Sequence, residues 1–221
     1  MNTFERFFSF IVITGVLEMQ TALSVGSRVS MEPTGSDLPV VKTPDGLPFI
    51  PGSSLKGVIR FFAERVLRSL DESLLSKLTD GKEAKICDPL DSPCVPKEVK
   101  DKLWAEAEKE AKNEKGSFRE GFFARKIWER SCFVCRLFGS PWLAGRLAFK
   151  DAFLTNANDL PVITQVRDGV GIDRDLGAAR QGVKYDFEAV VPGACFGVEI
   201  AAENVEEWEV GLLLAVLRPL K

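Results

Sequence analysis

The chain has 221 residues, of which 45% are hydrophobic and 28% charged, an ordinary globular composition with enough length to bury a substantial core in one domain. The formal net charge of −3 argues against a freestanding electrostatic binder of nucleic acid, but it permits a local basic groove on a subunit of a larger assembly. Histidine is absent, which excludes it as a general acid or base, a triad member or a metal ligand.

The sequence predicts a cytoplasmic protein. No apolar run approaches the roughly 18 residues of a membrane helix, and the N-terminus lacks a charged-then-apolar signal pattern. Five cysteines in a reducing compartment are more typical of thiols or metal ligands than of structural disulfides, unless the source is a hyperthermophile.

The first elements along the chain are a strand and a loop. Residues 4–25 are β-branched and aromatic with some alternation, which predicts a long first strand with a bulge at Gly15. Residues 26–46 are polar and rich in turn residues, which indicates a long loop. Loops of this length in compact domains tend to be functional.

Residues 53–70 show apolar positions recurring every three and four residues, the pattern of an amphipathic helix with Ser53 or Ser54 as its N-cap. Lys56 and Arg60 then fall in the first two turns, beside unpaired backbone N–H groups. Such a helix start can bind an anion. On spacing alone, a capped helix with solvated basic residues is the favoured interpretation, because short Gly/Ser/Lys clusters match by chance.

The middle of the chain is predicted to be helical. Residues 97–115 carry alternating charge with few large apolar residues, which indicates a solvated surface helix. A second helix over 118–130 has an aromatic and aliphatic face suited to core packing, formed by Phe118, Phe122, Phe123 and Ile127.

The last third is predicted to be mostly strands. Residues 145–155 alternate and predict one strand, and residues 164–184 are too polar for a core and predict a protruding hairpin or flexible loop. Tyr185–Val191 and Cys195–Ala202 are expected to pair as a hairpin across Pro192-Gly193, and residues 206–217 to close as an apolar helix.

Four cysteines have spacing that suits a metal. Cys132 and Cys135 are separated by two residues, which lets both thiolates bind one tetrahedral ion, and Cys87 and Cys94 could complete a structural Cys₄ zinc site. Buried free thiols, or a disulfide in a thermophile, are the alternatives. Cys195 stands alone in a strand-like run and is expected in the core.

Several motifs together resemble one family. The segment GLPFIPGSSLKGVIR (residues 46–60) resembles the signature of the RAMP superfamily, the repeat-associated subunits of CRISPR effector complexes. More narrowly, GSDLPVVKTPDGLPFIPGSSLKG is similar to the backbone subunits of type III effectors. The resemblance continues, in the order of the family, at LFGS (137–140), GRLAFKDAFL (145–154) and GIDRDLGAAR (171–180).

The resemblance implies an α+β fold. We expect a single domain over residues 1–221, with a ferredoxin-like (RRM-type) palm at 1–70 and 137–221. A helical lid insertion is expected at about 71–136 and a protruding thumb loop at about 164–184. Backbone subunits of the family are also expected to follow the last helix with a glycine-rich loop that holds guide phosphates, whereas this sequence ends at LRPLK.

The resemblance also gives Asp37 a role. In type III backbone subunits an aspartate at this motif position is associated with cleavage of target RNA. A carboxylate there could bind Mg²⁺ or accept the proton of the substrate 2′-OH. From its local sequence alone, an aspartate in Gly-Ser-Asp is typical of an Asx turn that only shapes its loop.

The resemblance implies partners as well. We expect a subunit that forms a head-to-tail filament with copies of itself along the crRNA, contacts other effector subunits, and cleaves target RNA at regular intervals. Two rivals remain open: a purely structural RNA-binding subunit, and a standalone endoribonuclease that processes guide precursors. The candidate RNA contacts are Ser53, Ser54, Lys56, Arg60, Arg146, Arg167, Ile172, Arg174 and Arg180, with Val170 as a second apolar thumb residue.

Overall fold

The fold is described by a computed structural model that covers residues 6–26, 36–71, 73–74, 86–113 and 119–218. Residues 27–35 of the predicted loop and Phe118 of the predicted helix face lie outside the described residues. The elements, in chain order, are β1 (Phe10–Glu18), β2 (Phe49–Ile50), α1 (Gly52–Ser69), α2 (Lys97–Asn113), α3 (Arg119–Arg130), α4 (Phe133–Phe138), β3 (Leu147–Phe149), β4 (Ala152–Leu154), a 3₁₀ turn (Ala157–Asp159), β5 (Thr164–Ile172), β6 (Ala179–Val190), β7 (Cys195–Glu203) and α5 (Glu207–Leu217).

The chain divides into two compact units. The first contains residues 1–11, 56–148 and 201–221, and the second contains residues 12–55 and 149–200. The predicted lid segment falls in the first unit and the predicted thumb in the second. None of the helices in the described part of the chain is long and apolar enough to cross a membrane.

The larger sheet has five strands. Its order is β1-β7-β4-β2, and β3 also pairs with β7. Strand β4 is antiparallel to both neighbours, with Phe153 opposite Phe49 in β2 and opposite Gly197 in β7. The succession β1, α1, β4, β7, α5 with strand order β1-β7-β4 agrees with the ferredoxin-like arrangement. The predicted α+β class is therefore confirmed.

Strands β5 and β6 form a separate two-stranded antiparallel sheet. Of the hairpin and the flexible loop predicted for 164–184, the structure shows a hairpin, but the predicted pairing of 185–191 with 195–202 is wrong. Strand β6 pairs with β5, whereas β7 pairs with β1, β3 and β4. The reason is the Pro192-Gly193 turn, where the Gly193 amide donates to Met19 and the Met19 amide donates to Ala194, so the chain turns towards the end of β1.

The core of the second unit lies on one face of the larger sheet. Its buried residues come from β2, β4, the end of β6 and β7, with Leu55 from α1, and they are Ile50, Leu55, Ala152, Val190, Ala194 and Phe196. The alternation of side chains along β7 explains why only some of its residues enter the core. Phe196 and Ile200 are fully buried, while Gly197 and Glu199 face the other side of the sheet.

The start of α1 is fixed by a close approach of two backbones. A Cβ placed on Gly52 would lie 2.2 Å from the carbonyl oxygen of Phe149, and the Gly52 amide donates to Asp151 Oδ1 at 2.8 Å. The predicted N-cap is therefore wrong, because Ser53 and Ser54 lie inside the first turn and a distant aspartate accepts the first amide. The same contact interrupts the strand predicted over 145–155, which appears as β3 and β4 on either side of Lys150 and Asp151.

In the first unit, α2 and α3 pack along one another. Leu103 and Ile127 are buried with Val95, and Phe123 packs against them. The aromatic face predicted for α3 is thus confirmed for Phe123 and Ile127. Helix α2 is less solvated than its charge pattern predicts, because Leu103 and Ala107 form a narrow buried stripe one turn apart.

A buried ion pair holds α5 in the first unit. Arg146 and Glu209 are 5% and 2% exposed, and both Nη atoms of Arg146 donate to the Glu209 carboxylate. Arg146 Nη1 also donates to the Asn204 carbonyl and Nε to the Arg136 carbonyl. This geometry argues against the predicted RNA contact by Arg146, because its guanidinium is buried and all three of its nitrogens have partners inside the fold.

The close approach at Gly52 predicts opposite effects for two alanine substitutions in α1. We expect Gly52→Ala to lower the free energy of unfolding by about 1–3 kcal/mol, because the new methyl group collides with backbone that cannot move aside easily. We expect Gly57→Ala to raise it by up to about 1 kcal/mol, because no atom lies within 4 Å of that Cβ and alanine favours the helix. Urea unfolding of the full chain measures both, and equal stabilisation by the two would contradict the contact.

The buried pair predicts a second stability difference. Arg146→Met leaves the Glu209 carboxylate buried without its guanidinium, so we expect a loss of about 3–5 kcal/mol in the free energy of unfolding. The control is Lys150→Met in the exposed Lys150–Glu199 pair, where the loss should be about 0–1 kcal/mol. A loss for Arg146→Met no larger than for Lys150→Met would show that the pair does not stabilise the fold.

Candidate functional site

Residues 36–42 run beside the hairpin strand β6. Leu38 donates its amide to the Asp186 carbonyl at 3.1 Å and accepts the Glu188 amide at 3.0 Å. The two stretches are parallel at this point, where Leu38 is bridged to Phe187. The segment thus occupies the edge of β6 that β5 does not use.

Asp37 is fixed to this edge by its side chain. The Asp186 amide donates to Asp37 Oδ2 at 3.0 Å, and Ser36 Oγ donates to the Asp186 carbonyl at 3.0 Å. An Asx turn would bond Asp37 to an amide two residues ahead, whereas this bond spans 149 residues of sequence. The Asp37 side chain therefore lies exposed on the surface with one oxygen held from the hairpin.

Two further aspartates lie near Asp37. Asp168 in β5 is directly opposite Asp186 in β6. A hydrogen bond with Asp168 and partial desolvation raise the pKa of Asp186, and the charges of Asp168 and Asp37 raise it further against the opposing effect of Lys184. Sequence reasoning missed both residues, because only the strand register shows that they face each other.

Glu188 anchors the same segment from within the fold. It is 7% exposed, and its carboxylate accepts the Val40 amide at 3.1 Å and Lys42 Nζ at 2.6 Å. Burial raises the pKa of Glu188, but hydrogen bonds outweigh that effect and lower it, in order from Lys42, Thr164 and Val40. A lone charge inside the apolar run 187–191 was the sequence signal that could have identified Glu188.

The predicted RNA contacts on α1 differ in their exposure. Ser53 and Ser54 are exposed in the first turn, and Lys56 is half-buried. Arg60 instead points into the first unit, with Nε bonded to Glu64 at 3.0 Å, Nη1 to the Gly139 carbonyl and Nη2 to Cys135 Sγ. This geometry argues against a phosphate contact by Arg60, since all three nitrogens of its guanidinium have partners.

The hairpin carries the other predicted contacts. Arg167, Arg174 and Arg180 are exposed, as are the apolar side chains of Val170 and Ile172. Leu176, in the turn of the hairpin, is 81% exposed. It was not among the apolar thumb residues predicted from the sequence. The hairpin therefore presents positive and apolar side chains together.

One aromatic ring supports the hairpin. Tyr185 lies across its pairing partner Gly169, where an added Cβ would be 2.4 Å from the tyrosine ring. Its ring centroid is 6.3 Å from that of Phe187. Glycine at 169 is thus required so that the ring can pack against the backbone of β5.

The four predicted cysteines come together in the first unit. Cys87, Cys94, Cys132 and Cys135 have all their Sγ atoms within 4.8 Å of one another, and Cys87 Sγ is 3.5 Å and 3.4 Å from those of Cys132 and Cys135. All five cysteines are free thiols, and Cys195 lies half-buried elsewhere. Zinc with bonds of about 2.3 Å in a tetrahedron would separate the sulfurs by about 3.8 Å, so the arrangement fits that ion.

Local structure explains how the four sulfurs meet. Cys132 is the N-cap of α4 and accepts the Cys135 amide, which places both sulfurs on the same helix turn. Cys87 and Cys94 flank a turn in which Asp88 Oδ1 accepts the amides of Leu90 and Asp91. These amides lower the pKa of Asp88. One pair of cysteines is therefore positioned by the first turn of α4 and the other by the turn after Cys87.

The thiols of the cluster influence one another. Hydrogen bonds, first from Cys135 and then from Cys94, lower the pKa of Cys132, while the same contact with Cys132 raises the pKa of Cys135. Burial raises the pKa of Cys87 to about 12. Within the cluster, the thiolate form is therefore favoured at Cys132.

Comparison with known proteins supports one family. The family model of the RAMP superfamily matches residues 13–221. A protein of Mycobacterium tuberculosis named CRISPR system Cms endoribonuclease Csm3 is 29% identical over 202 residues, which is 87% of this chain and 64% of that protein. A protein of the same name from Streptococcus thermophilus is 26% identical over 213 residues, which is 91% of this chain and 72% of that protein.

A third, shorter match has a higher sequence identity. A protein of that name from Methanothermobacter thermautotrophicus is 39% identical over 82 residues, which is 36% of this chain and 30% of that protein. The chain therefore spans less than two thirds of the M. tuberculosis and M. thermautotrophicus relatives. Because the family model covers nearly all of it, the chain belongs to the RAMP superfamily.

Proposed function

We propose that this protein is a crRNA-binding backbone subunit of a type III CRISPR effector and that it cleaves complementary target RNA through Asp37. The observation that carries the proposal is the exposed Asp37 carboxylate, held by the backbone of β6 at the root of a hairpin that presents arginines and apolar side chains. Its similarity to proteins named CRISPR endoribonuclease supports the same function.

Cleavage of RNA needs few protein groups, because the 2′-OH of the substrate can attack the adjacent phosphate. Asp37 would orient the splayed nucleotide or accept the 2′-OH proton. The exposed Asp37 carboxylate is a hard oxygen donor of the kind that Mg²⁺ prefers, so this residue would hold that ion. Bound there, Mg²⁺ would stabilise the negative charge that develops on the phosphate.

The hairpin would contact the RNA. Arg167, Arg174 and Arg180 can bind phosphates without reading sequence, which suits a guide whose sequence varies. Exposed Val170, Ile172 and Leu176 can pack against bases where the duplex opens. Ser53, Ser54 and Lys56 at the start of α1 would add polar contacts to the backbone of the guide.

The subunit would act in an assembly in the cytoplasm. Copies would associate head to tail along the crRNA, and a heterologous contact of this kind extends into a filament rather than closing. Other effector subunits would join its ends. Cleavage at regular intervals then follows from one Asp37 in each copy.

A structural subunit without cleavage is the second candidate function, and it is favoured by the hydrogen bond that uses Asp37 to shape the loop. A standalone nuclease that processes guide precursors is less supported. The chain has no histidine, and its one tyrosine, Tyr185, packs across Gly169.

The experiment that separates these candidates is cleavage of a guide-complementary RNA by the assembled complex with Mg²⁺. We expect Asp37→Ala to abolish regularly spaced cleavage and to leave target binding unchanged, because the exposed carboxylate contributes to chemistry rather than to packing. Product length on denaturing gels and a binding titration measure the two effects.

Asp45→Ala is the matched control for Asp37→Ala. Asp45 is also an exposed aspartate in the turn before β2, and its replacement should leave cleavage at the wild-type rate. Cleavage by Asp37→Ala at that rate would remove the nuclease function and leave an RNA-binding scaffold.

We also propose that the four-cysteine cluster binds one structural Zn²⁺. Four thiolates fill a tetrahedral zinc site and leave no open position for catalysis. Arg60, which donates to Cys135 Sγ, would offset part of the negative charge of such a site. Bound zinc would tie the turn of Cys87 and Cys94 to the start of α4.

Metal analysis tests the zinc site. We expect one zinc per purified chain, and a lower melting temperature after treatment with a chelator, because binding free energy at such a site is folding free energy. Cys132→Ser should lose the metal, while Cys195→Ser, whose sulfur lies outside the cluster, should keep it. A chain without zinc, or zinc retained by Cys132→Ser, would reject the site.

A further inference from the structure

Residues 36–42 are hydrogen-bonded to two residues of β6, and Val41 also bonds to Val25 and Phe49. The Asp186 amide holds the Asp37 carboxylate, and the Glu188 carboxylate holds the Val40 amide and the Lys42 ammonium group. Asp186 and Glu188 are two residues apart in the strand and so share one side of it. The segment is therefore attached to β6 on both sides of Leu38.

Glu188 is unusual among the acidic residues of the second unit. At 7% exposure a carboxylate is costly unless charged partners and hydrogen bonds compensate for the lost water. Its partners are a lysine and a backbone amide from the segment that carries Asp37, with Thr164 of β5 beside them. The burial of this charge thus depends on the position of that segment.

The attachment also sets where Asp37 lies along the strand. A shift of one residue along β6 would move the segment by about 3.3 Å and turn its side chains to the opposite side. Such a shift would break both bonds to Glu188 at once. The two bonds to the buried Glu188 charge therefore favour one alignment of the segment on β6. They act together with the backbone bonds of Leu38 and the bond from the Val41 amide to the Val25 carbonyl.

We propose that Glu188 is a positioning residue that fixes the alignment of Asp37 on β6 for target cleavage. This inference rests on the proposed cleavage through Asp37. Glu188 acts through the Val40 amide and Lys42 and does not itself touch RNA. Because β6 also carries Arg180 of the hairpin, Glu188 keeps Asp37 at a constant position relative to that RNA contact.

The test uses the assembled complex with Glu188→Gln, which keeps the shape of the side chain but removes its charge. We expect the cleavage rate at saturating target to fall about 10- to 100-fold, the scale expected when a reacting group is misplaced by about 1 Å. Target affinity should stay within about twofold, and the cut positions should spread to neighbouring nucleotides. A residue that only stabilises the fold would not change where the RNA is cut.

Glu199→Gln is the matched control. Glu199 pairs with Lys150 at 2.7 Å in the same unit but is more exposed and contacts no residue of the 36–42 segment in the described structure. Its cleavage rate and cut positions should match wild type. Lys42→Gln, at a side chain 35% exposed, provides a second variant that spares the core and should shift both readouts in the same direction as Glu188→Gln.

Amide hydrogen exchange in the full chain reports the attachment itself. Protection of the Val40 amide should fall in Glu188→Gln and remain in Glu199→Gln, since only Glu188 accepts that hydrogen.

The outcomes separate this inference from the proposed function. If Asp37→Ala is inactive but Glu188→Gln cleaves at the wild-type rate and positions, the positioning role fails and the nuclease function stands. If Asp37→Ala still cleaves, both fail. A loss of affinity equal to the loss of rate, or an equal loss in Glu199→Gln, would show a general structural defect and overturn the positioning role.

Discussion

The edge of β6 that faces residues 36–42 is the constraint on which the candidate site depends. One edge of this strand pairs with β5 to build the hairpin, and the other bonds to the backbone of Leu38. Strand edges present unpaired amides and carbonyls that need partners when they are not in water. Strand β6 has partners on both edges and so connects the exposed Asp37 carboxylate to the hairpin.

Charges buried in the two units serve different purposes. Arg146 and Glu209 in the first unit neutralise each other within the fold and secure the start of α5, where Glu209 also accepts the Glu206 amide. Glu188 in the second unit is paired with a surface segment instead. The Arg146–Glu209 pair connects two parts of the first unit. The buried Glu188 charge instead holds residues 36–42 in one alignment, because its hydrogen bonds are directional and lie in a low-dielectric environment.

The limits of sequence reasoning can be seen at individual residues. Asp37 and the four cysteines were identified from spacing and resemblance, since each belongs to a short local motif. Arg146 was predicted to contact RNA from its place in a family motif, but in the fold its guanidinium pairs with a buried carboxylate 63 residues away. Ser53 and Ser54 were plausible caps by composition, yet the acceptor is Asp151, which lies in the break between β3 and β4.

Local sequence is enough to predict the amphipathic helix α1, the polar hairpin, the closing helix α5 and the CxxC pair. Each depends on periodicity or short spacing that the chain carries locally. The folded structure is needed to establish the pairing of β6 with β5 and with Leu38, the position of Asp168 opposite Asp186, and the burial of Glu188 with its bond from the Val40 amide. Those contacts join residues far apart in sequence, so strand register and packing, rather than local propensity, select them.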